Sequence, residues 1–278
     1  EVLIISNTHQ AVNNALNKIY SINHQLPIIK IGEELKGEGL DKGIVVAKTY
    51  NAYLSSRKQN KKKKKEKSHD ILGMTFHAAV INLGLRTNRF LPSIILVDEA
   101  GQIPLAQGAL IGALGSGTVV LIGDDLQMTP IFHEKLVSDA LSVSIFAYLS
   151  SLYPEFKNVL KITYRMNNEI TEIVSKKFYQ PYGITLKASD FSVHRTLEIN
   201  SSCGDKRIDN ILKSTQSIHQ IDVSKYDSWQ DENHEEANFI SLLVKSALNS
   251  GIMKQNIAVI TPYRRQVKII RQFVISAL

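Results

Sequence analysis

Short, unbroken apolar runs that each end at small or polar residues constrain this chain most. Val2-Leu3-Ile4-Ile5 runs into Ser6-Asn7-Thr8, and Ile94-Ile95-Leu96-Val97 into Asp98-Glu99. Val119-Val120-Leu121-Ile122 runs into Gly123-Asp124-Asp125, and Ile257-Ala258-Val259-Ile260 into Thr261-Pro262-Tyr263. A strand without apolar–polar alternation is covered on both faces, which is the mark of a parallel sheet. Amphipathic stretches lie between the runs, at 9–20, 104–114, 135–152, 167–178, 234–249 and 263–277. Alternating strands and helices predict an α/β fold with right-handed crossovers. Such sheets bind ligands at the carboxyl ends of their strands, and the polar clusters fall there.

With 278 residues, the chain is long enough for two domains. The boundary is expected near 150–160, after the 135–152 helix and around Pro154. Segment 55–69 is almost free of apolar residues and reads as an exposed loop or hairpin tip. Segment 183–233 is irregular, with weak strand signals at 196–199 and 218–223. The chain begins at Glu1 inside an apolar run and reads as a piece of something longer.

The net charge of +7 sits in one place. Residues 57–67 hold eight positive charges and one negative, and the rest of the chain is balanced. The basic balance therefore does not point to nucleic acid over the whole surface. The lysine run 61–65 lacks the interleaved aromatics of a base-stacking platform. A single cysteine, Cys203, excludes a disulfide framework and a cysteine zinc site, and fits a reducing, cytoplasmic compartment. No apolar run approaches the roughly 18 residues of a membrane span, so no membrane is expected as a partner.

Three clusters could carry chemistry. Asp98-Glu99 follows a buried strand, where one carboxylate could hold a phosphate-bound Mg²⁺ and the next could activate water. Taken alone, the pair could equally be two solvated acids opening a turn. Gly123-Asp124-Asp125-Leu126-Gln127 follows the next strand, with Gln127 able to position a water or a phosphate oxygen. Tyr164-Arg165 offers a ring to stack on a base and a guanidinium to meet charge on a transferred phosphoryl group. Gly112–Gly117 looks glycine-rich but precedes a strand, whereas a phosphate loop follows one.

In series these stretches resemble superfamily 1 helicases, specifically the 1B branch typified by the nonsense-mediated-decay helicase. Ser6-Asn7-Thr8-His9-Gln10-Ala11-Val12-Asn13 looks like motif Ia and Gly73-Met74-Thr75 like the next motif. Val97-Asp98-Glu99-Ala100-Gly101-Gln102 matches motif II, and Gly123-Asp124-Asp125-Leu126-Gln127-Met128-Thr129-Pro130 resembles motif III. Thr163-Tyr164-Arg165-Met166, with Ser175 and Phe178-Tyr179, resembles the next. Asn233 with Glu236-Ala237, and Ile260-Thr261-Pro262-Tyr263-Arg264 with Gln266, resemble later ones.

The resemblance implies two RecA-like domains of the P-loop NTPase fold, 1–152 with a small insertion at about 21–69, and 153–278. It implies the motor core of an ATP-dependent helicase or translocase, working as a monomer on single-stranded DNA or RNA. Asp98 would hold Mg²⁺, Glu99 would activate water, and Gln127 would sense the γ-phosphate of ATP. Tyr164 would stack on adenine and Arg165 would be the arginine finger. Asn7, Thr8, Thr75, Thr261 and Pro262 would line the strand track. No G-x-x-x-x-G-K-[ST] occurs in the chain. The first domain is therefore expected to lack its P-loop strand and helix, the second to be incomplete at its C-terminus, and the sequence given to be inactive by itself. Thr163 stands where the family has Gln, and Asp125, Leu126 and Thr129 depart from its motif III. Two alternatives remain at this stage. One is a decayed, non-catalytic nucleic-acid-binding module. The other is a metal-dependent nuclease or phosphohydrolase using Asp98, Glu99, Asp124 and Asp125.

Overall fold

The structure is a computed structural model that describes residues 2–53, 55, 71–83, 92–114, 117–130, 142–197, 199, 205–222 and 232–278. The lysine run, Cys203 and the first part of the 135–152 helix lie outside the described residues. The chain divides into two compact units, Glu1–Asn158 and Val159–Leu278. Among the described residues no helix is long and apolar enough to cross a membrane.

The first unit is built on a six-stranded sheet. Its strands are β1 (Val2–Ser6), β2 (Ile28–Ile31), β3 (Val45–Ala47), β4 (Ile71–Thr75), β5 (Ile94–Val97) and β6 (Thr118–Leu121), in the order β3-β2-β4-β1-β5-β6. Every pairing is parallel. All six strands therefore end on one edge, as the apolar runs predict. Side chains alternate across the sheet. On one face Ile4 and Ile28 pack with Val12 and Leu16 of α1 (His9–Ile22). On the other, Leu3, Ile5, Leu72, Met74, Ile95 and Val97 form the larger core. Phe76 and Ala79 of α2 (Phe76–Leu83), Ile103, Ile111, and Ile145 of α4 (Ile145–Leu152) cover it. Between β5 and α4 runs the short helix α3 (Leu105–Gly108), continued by a 3-10 turn to Ala113. Leu3, Ile5, Leu72 and Met74 are fully buried. Truncating any one of them to Ala would cost about 2–5 kcal/mol.

The sheet takes in part of the stretch 21–69, expected as a small insertion. Ile28–Ile31 and Val45–Ala47 lie inside that stretch, yet they are β2 and β3 of the same sheet. Lys30 interrupts the apolar run of β2, which hides the strand from a search for unbroken runs.

The second unit has a two-stranded parallel pair, β7 (Ile162–Thr163) with β8 (Lys187–Ala188). Helix α5 (Asn168–Val174) runs into a π-helical turn at Ser175–Tyr179. Further on come α6 (Lys206–Leu212), α7 (His234–Asn249) and α8 (Arg264–Ala277). Ala237 of α7 packs with Ile269 and Ile270 of α8. Ile199, Ile208, Leu212 and Ala247 form a second small core. The apolar run Ile257–Ile260 is not a strand here, and Ile260 is 92 % exposed. A strand exists only through its ladder, and no neighbouring strand among the described residues pairs with this run.

Candidate functional site

The site is assembled on the carboxyl edge of the first sheet. The Asp98 amide donates to the Ile5 carbonyl at 2.8 Å, and the Ile122 amide to the Val97 carbonyl at 2.8 Å. The chain then leaves β5 and β6 in two turns that lie against each other. The Ala100 amide donates to the Ile122 carbonyl at 2.9 Å. Only glycines permit this approach, because a Cβ on Gly123 would stand 2.7 Å from the Gly101 nitrogen.

Glu99 adopts a left-handed backbone, φ 55° and ψ 37°, unlike any other described non-glycine residue. Such a conformation costs roughly 1–2 kcal/mol for a residue with a side chain. It lets the Asp98 Oδ1 accept the Glu99 amide at 3.0 Å, and it presents the Glu99 carboxylate at the surface. Gln102, one turn on, donates from Nε2 to Glu99 Oε2 at 3.1 Å, and its carbonyl accepts the Asn7 Nδ2 at 3.2 Å. The end of β1 is thereby tied to the turn that carries the acidic pair. Gln127 donates from Nε2 to Asp124 Oδ2 at 2.7 Å, while Asp124 Oδ1 accepts the Leu126 amide at 3.0 Å. Asp125 pairs with Lys157 at 2.8 Å.

Asn7, Asp98, Glu99 and Gln127 thus share one edge of one sheet. Thr8 and Thr75 are there too, each spending its hydroxyl on a helix start. Thr8 Oγ1 accepts the Ala11 amide at 3.2 Å, and Thr75 Oγ1 the Ala78 amide at 3.3 Å. Sequence reasoning gave no role to Gln102, and gave Asp124 one only in the nuclease alternative. The three-residue spacings Glu99–Gln102 and Asp124–Gln127 were the available signal.

Tyr164, Arg165, Thr261 and Pro262 belong to the second unit. Tyr164 is 67 % exposed and Arg165 is exposed, in the turn between β7 and α5. That turn is held from behind. Arg195 Nη1 donates to the Arg165 carbonyl at 2.9 Å, and Asn167 Nδ2 donates to the Arg195 carbonyl at 2.8 Å and the Ser217 hydroxyl at 2.6 Å. Asn167 also caps α5 through the Ile170 amide. Thr261 and Pro262 immediately precede α8. There Gln266, buried, accepts the Asn233 amide at 2.7 Å and donates to the Asn233 carbonyl and Glu236 Oε2, both at 2.9 Å.

Mg²⁺ binds through one or two carboxylates, keeping waters and substrate oxygens as its other ligands. Asp98 fits this, since the hydrogen bond to Glu99 engages only one of its oxygens. Among the described residues no group of three or more His, Cys, Asp or Glu is placed to hold a metal by itself.

Comparison with known proteins gives first a class. Residues 141–277 match a family described as AAA domain. Among individual proteins, the chain is 25 % identical to the DNA replication ATP-dependent helicase/nuclease JHS1 of Arabidopsis thaliana, over 97 % of the chain and 20 % of that protein. It is 27 % identical to the DNA replication ATP-dependent helicase/nuclease dna2 of Schizosaccharomyces pombe, with the same two coverages. It is 30 % identical to an ATP-dependent helicase of Methanocaldococcus jannaschii described as uncharacterized, over 64 % of the chain and 26 % of that protein. The chain spans about a fifth of the length of the first two relatives. These similarities support a superfamily 1 helicase-like family, and the six-stranded parallel sheet with its helices is an α/β fold consistent with a P-loop NTPase-like domain.

Proposed function

We propose that this chain is part of the motor core of an ATP-dependent helicase of the 1B branch, coupling ATP hydrolysis to movement along single-stranded nucleic acid. The observation that carries this reading is the acidic pair Asp98–Glu99, set by a left-handed turn beside the Gly123–Gln127 turn on the carboxyl edge of a parallel sheet. Magnesium, when bound at Asp98, neutralises charge on the nucleotide phosphates. Glu99 accepts a proton from the attacking water, and Gln102 keeps its carboxylate oriented. Gln127, oriented by Asp124, donates to a terminal phosphate oxygen. Tyr164 stacks on the base and Arg165 supplies the fixed positive charge that phosphoryl transfer to water demands. Asn7, Thr8, Thr75, Thr261 and Pro262 line the strand. Two relatives covering nearly the whole chain are named for DNA replication, which supports DNA as that strand.

The nuclease alternative is the weaker. Its four acids are separately engaged, with Asp124 on Gln127 and Asp125 on Lys157. The test is a protein that extends this chain at both ends, assayed for ATP hydrolysis with and without a single strand. Strand-stimulated turnover that falls at least 100-fold in Glu99→Gln is expected. An inert extended protein that still binds a strand would establish the non-catalytic alternative instead.

A further inference from the structure

Residues 151–162 are exposed throughout, and the division between the two units falls inside them, after Asn158. Most of what orders this segment is local. The Tyr153 amide donates to the Leu149 carbonyl at 2.9 Å and closes α4. Pro154 then opens a 3-10 turn, where its fixed φ suits the first helical position. The Phe156 amide donates to the Tyr153 carbonyl and the Lys157 amide to the Pro154 carbonyl, both at 3.1 Å. The Tyr153 and Phe156 ring centroids lie 6.4 Å apart. Among the described residues, the side-chain bond that leads from 153–158 to a distant part of the chain runs from Lys157 Nζ to Asp125 Oδ2. It measures 2.8 Å and spans 32 residues.

The far end of that bond is the turn that carries Gln127. Asp124 holds this turn from within, taking the Leu126 amide on one oxygen and Gln127 Nε2 on the other. Gly101, from the turn of the acidic pair, lies against the Asp124 backbone. Asp125 sets a second carboxylate directly beside Asp124, and Lys157 balances its charge. The two side chains of the pair are 26 % and 29 % exposed, so water and salt weaken it less than a fully solvated pair. Such a pair still adds little to stability, and what it joins matters more than what it adds. Asp125 is among the residues at which this chain departs from the motif III that it resembles, so the motif supplies no role for it. Lys157 stands at the start of the run that leads through β7 to Tyr164 and Arg165.

We propose that Asp125 is a positioning residue for phosphoryl transfer: through Lys157 it fastens the start of the run toward Tyr164–Arg165 onto the turn that carries Gln127. The proposal rests on the roles given above to Gln127 and Arg165. When Gln127 turns toward a terminal phosphate oxygen its turn shifts, and the tether passes that shift to the connecting run. Without the tether the 3-10 turn keeps its local bonds, but its place relative to the Gln127 turn is no longer fixed. Arg165 then meets the phosphoryl group from a wider spread of positions, and the loss falls on the reacting state and not on nucleotide binding.

Lys157→Met, Asp125→Asn, their combination, and the exchanged pair Asp125→Lys with Lys157→Asp are compared with wild type. In the chain itself, amide hydrogen exchange is read at Leu126 and Phe156, and melting temperatures are recorded. Lys157→Met is expected to speed exchange at Leu126, an amide bonded to Asp124 and not to Lys157, by about threefold. Asp125→Asn is expected to do the same at Phe156, and melting should stay within about 2 °C of wild type. In the extended protein each single variant is expected to lower kcat about threefold, with KM for ATP within about twofold. The combination should lose no more than either alone, and the exchanged pair should recover about half of the wild-type kcat or more. Raising the ionic strength should narrow the gap between wild type and Lys157→Met. Unchanged exchange in both single variants, kcat losses that add, or a KM rise with kcat unchanged overturns the proposal. A lower melting temperature with kcat intact assigns the pair to the fold alone and also overturns it. An extended wild type that hydrolyses no ATP overturns the motor reading, and the exchange arm, which needs no turnover, then decides the tether by itself.

Discussion

Gly101 and Gly123 touch backbone to backbone. A Cβ on Gly123 would lie 2.7 Å from the Gly101 nitrogen, and one on Gly101 would lie 2.7 Å from the Asp124 carbonyl oxygen. Neither obstacle is a flexible side chain, so relief requires the two turns to part. Gly123→Ala is expected to lower stability by about 1–3 kcal/mol, the usual cost of overpacking a closed site. Urea unfolding measures it. Gly101→Ala should cost a similar amount, and the double variant less than the sum, since one separation of the turns accommodates both methyls. Additive losses would show that the turns do not share this contact.

Glu99 carries backbone strain that glycine would not. Glu99→Gly is expected to raise stability by about 0.5–1 kcal/mol, the steric relief exceeding the entropy that glycine adds to the unfolded chain. Glu99→Gln keeps the strain and should stay within about 0.5 kcal/mol of wild type. Hydrolysis by the extended protein should be lost in both. Strain retained at a carboxylate that glycine would relax is the pattern of a functional position. A Glu99→Gly variant that melts below wild type would remove that argument.

Lys30 gives the chain a stability that depends on alkaline pH. Burial lowers its pKa from 10.5 to about 8. Between about pH 8 and 10.5 the unfolded chain binds the proton that the folded chain has released, so stability rises with pH in that window. The slope is at most about 1.4 kcal/mol per pH unit. His9 is shifted the same way, lowered first by burial and then by Lys30 and Lys36, with Glu33 opposing, but it titrates well below this range. Denaturation of wild type and Lys30→Met at pH 8, 9 and 10 isolates the effect. The difference between them should shrink as pH rises. A constant difference would mean that Lys30 is paired in solution.

The same lysine explains where the sequence was hard to read. β1, β5 and β6 announce themselves as unbroken apolar runs, the pattern of a parallel strand, although only the first two are substantially buried and β6 is largely exposed. β2 is buried along its whole length but has Lys30 within it, and a rule that seeks apolar continuity passes over it. Ile257–Ile260 fails in the opposite sense, since its composition matches β5 yet it joins no ladder among the described residues. Pairing is a property of two segments, and one segment's composition cannot state it. The site shows the same division. The place of Asp98, Glu99 and Gln127 beyond strand ends could be read from the sequence, whereas the bond from Asn7 to Gln102 spans 95 residues and has no local signature.

Arg195 is the other long-range partner, and it bears on how Arg165 acts. Its guanidinium donates to the Arg165 carbonyl at 2.9 Å, its centre lies 5.6 Å from the Phe191 ring centroid, and its own carbonyl accepts from Asn167. The main chain of Arg165 is thus fixed while its side chain stays exposed. In the role proposed for Arg165, fixing the main chain reduces the entropy lost when that side chain meets its target, which would help the reacting state more than nucleotide binding. Arg195→Ala in the extended protein is therefore expected to lower kcat about tenfold with KM for ATP within about twofold, a kcat loss worth about 1.4 kcal/mol. Arg195→Lys should recover part of it, because an ammonium can still reach the carbonyl but cannot stack on Phe191 as a planar group does. Combining Arg195→Ala with Arg165→Ala should cost no more than Arg165→Ala alone, since the first acts only through the second. A rise in KM with kcat unchanged, or a full extra tenfold loss in the double variant, would show that Arg195 serves the fold or the strand and not Arg165.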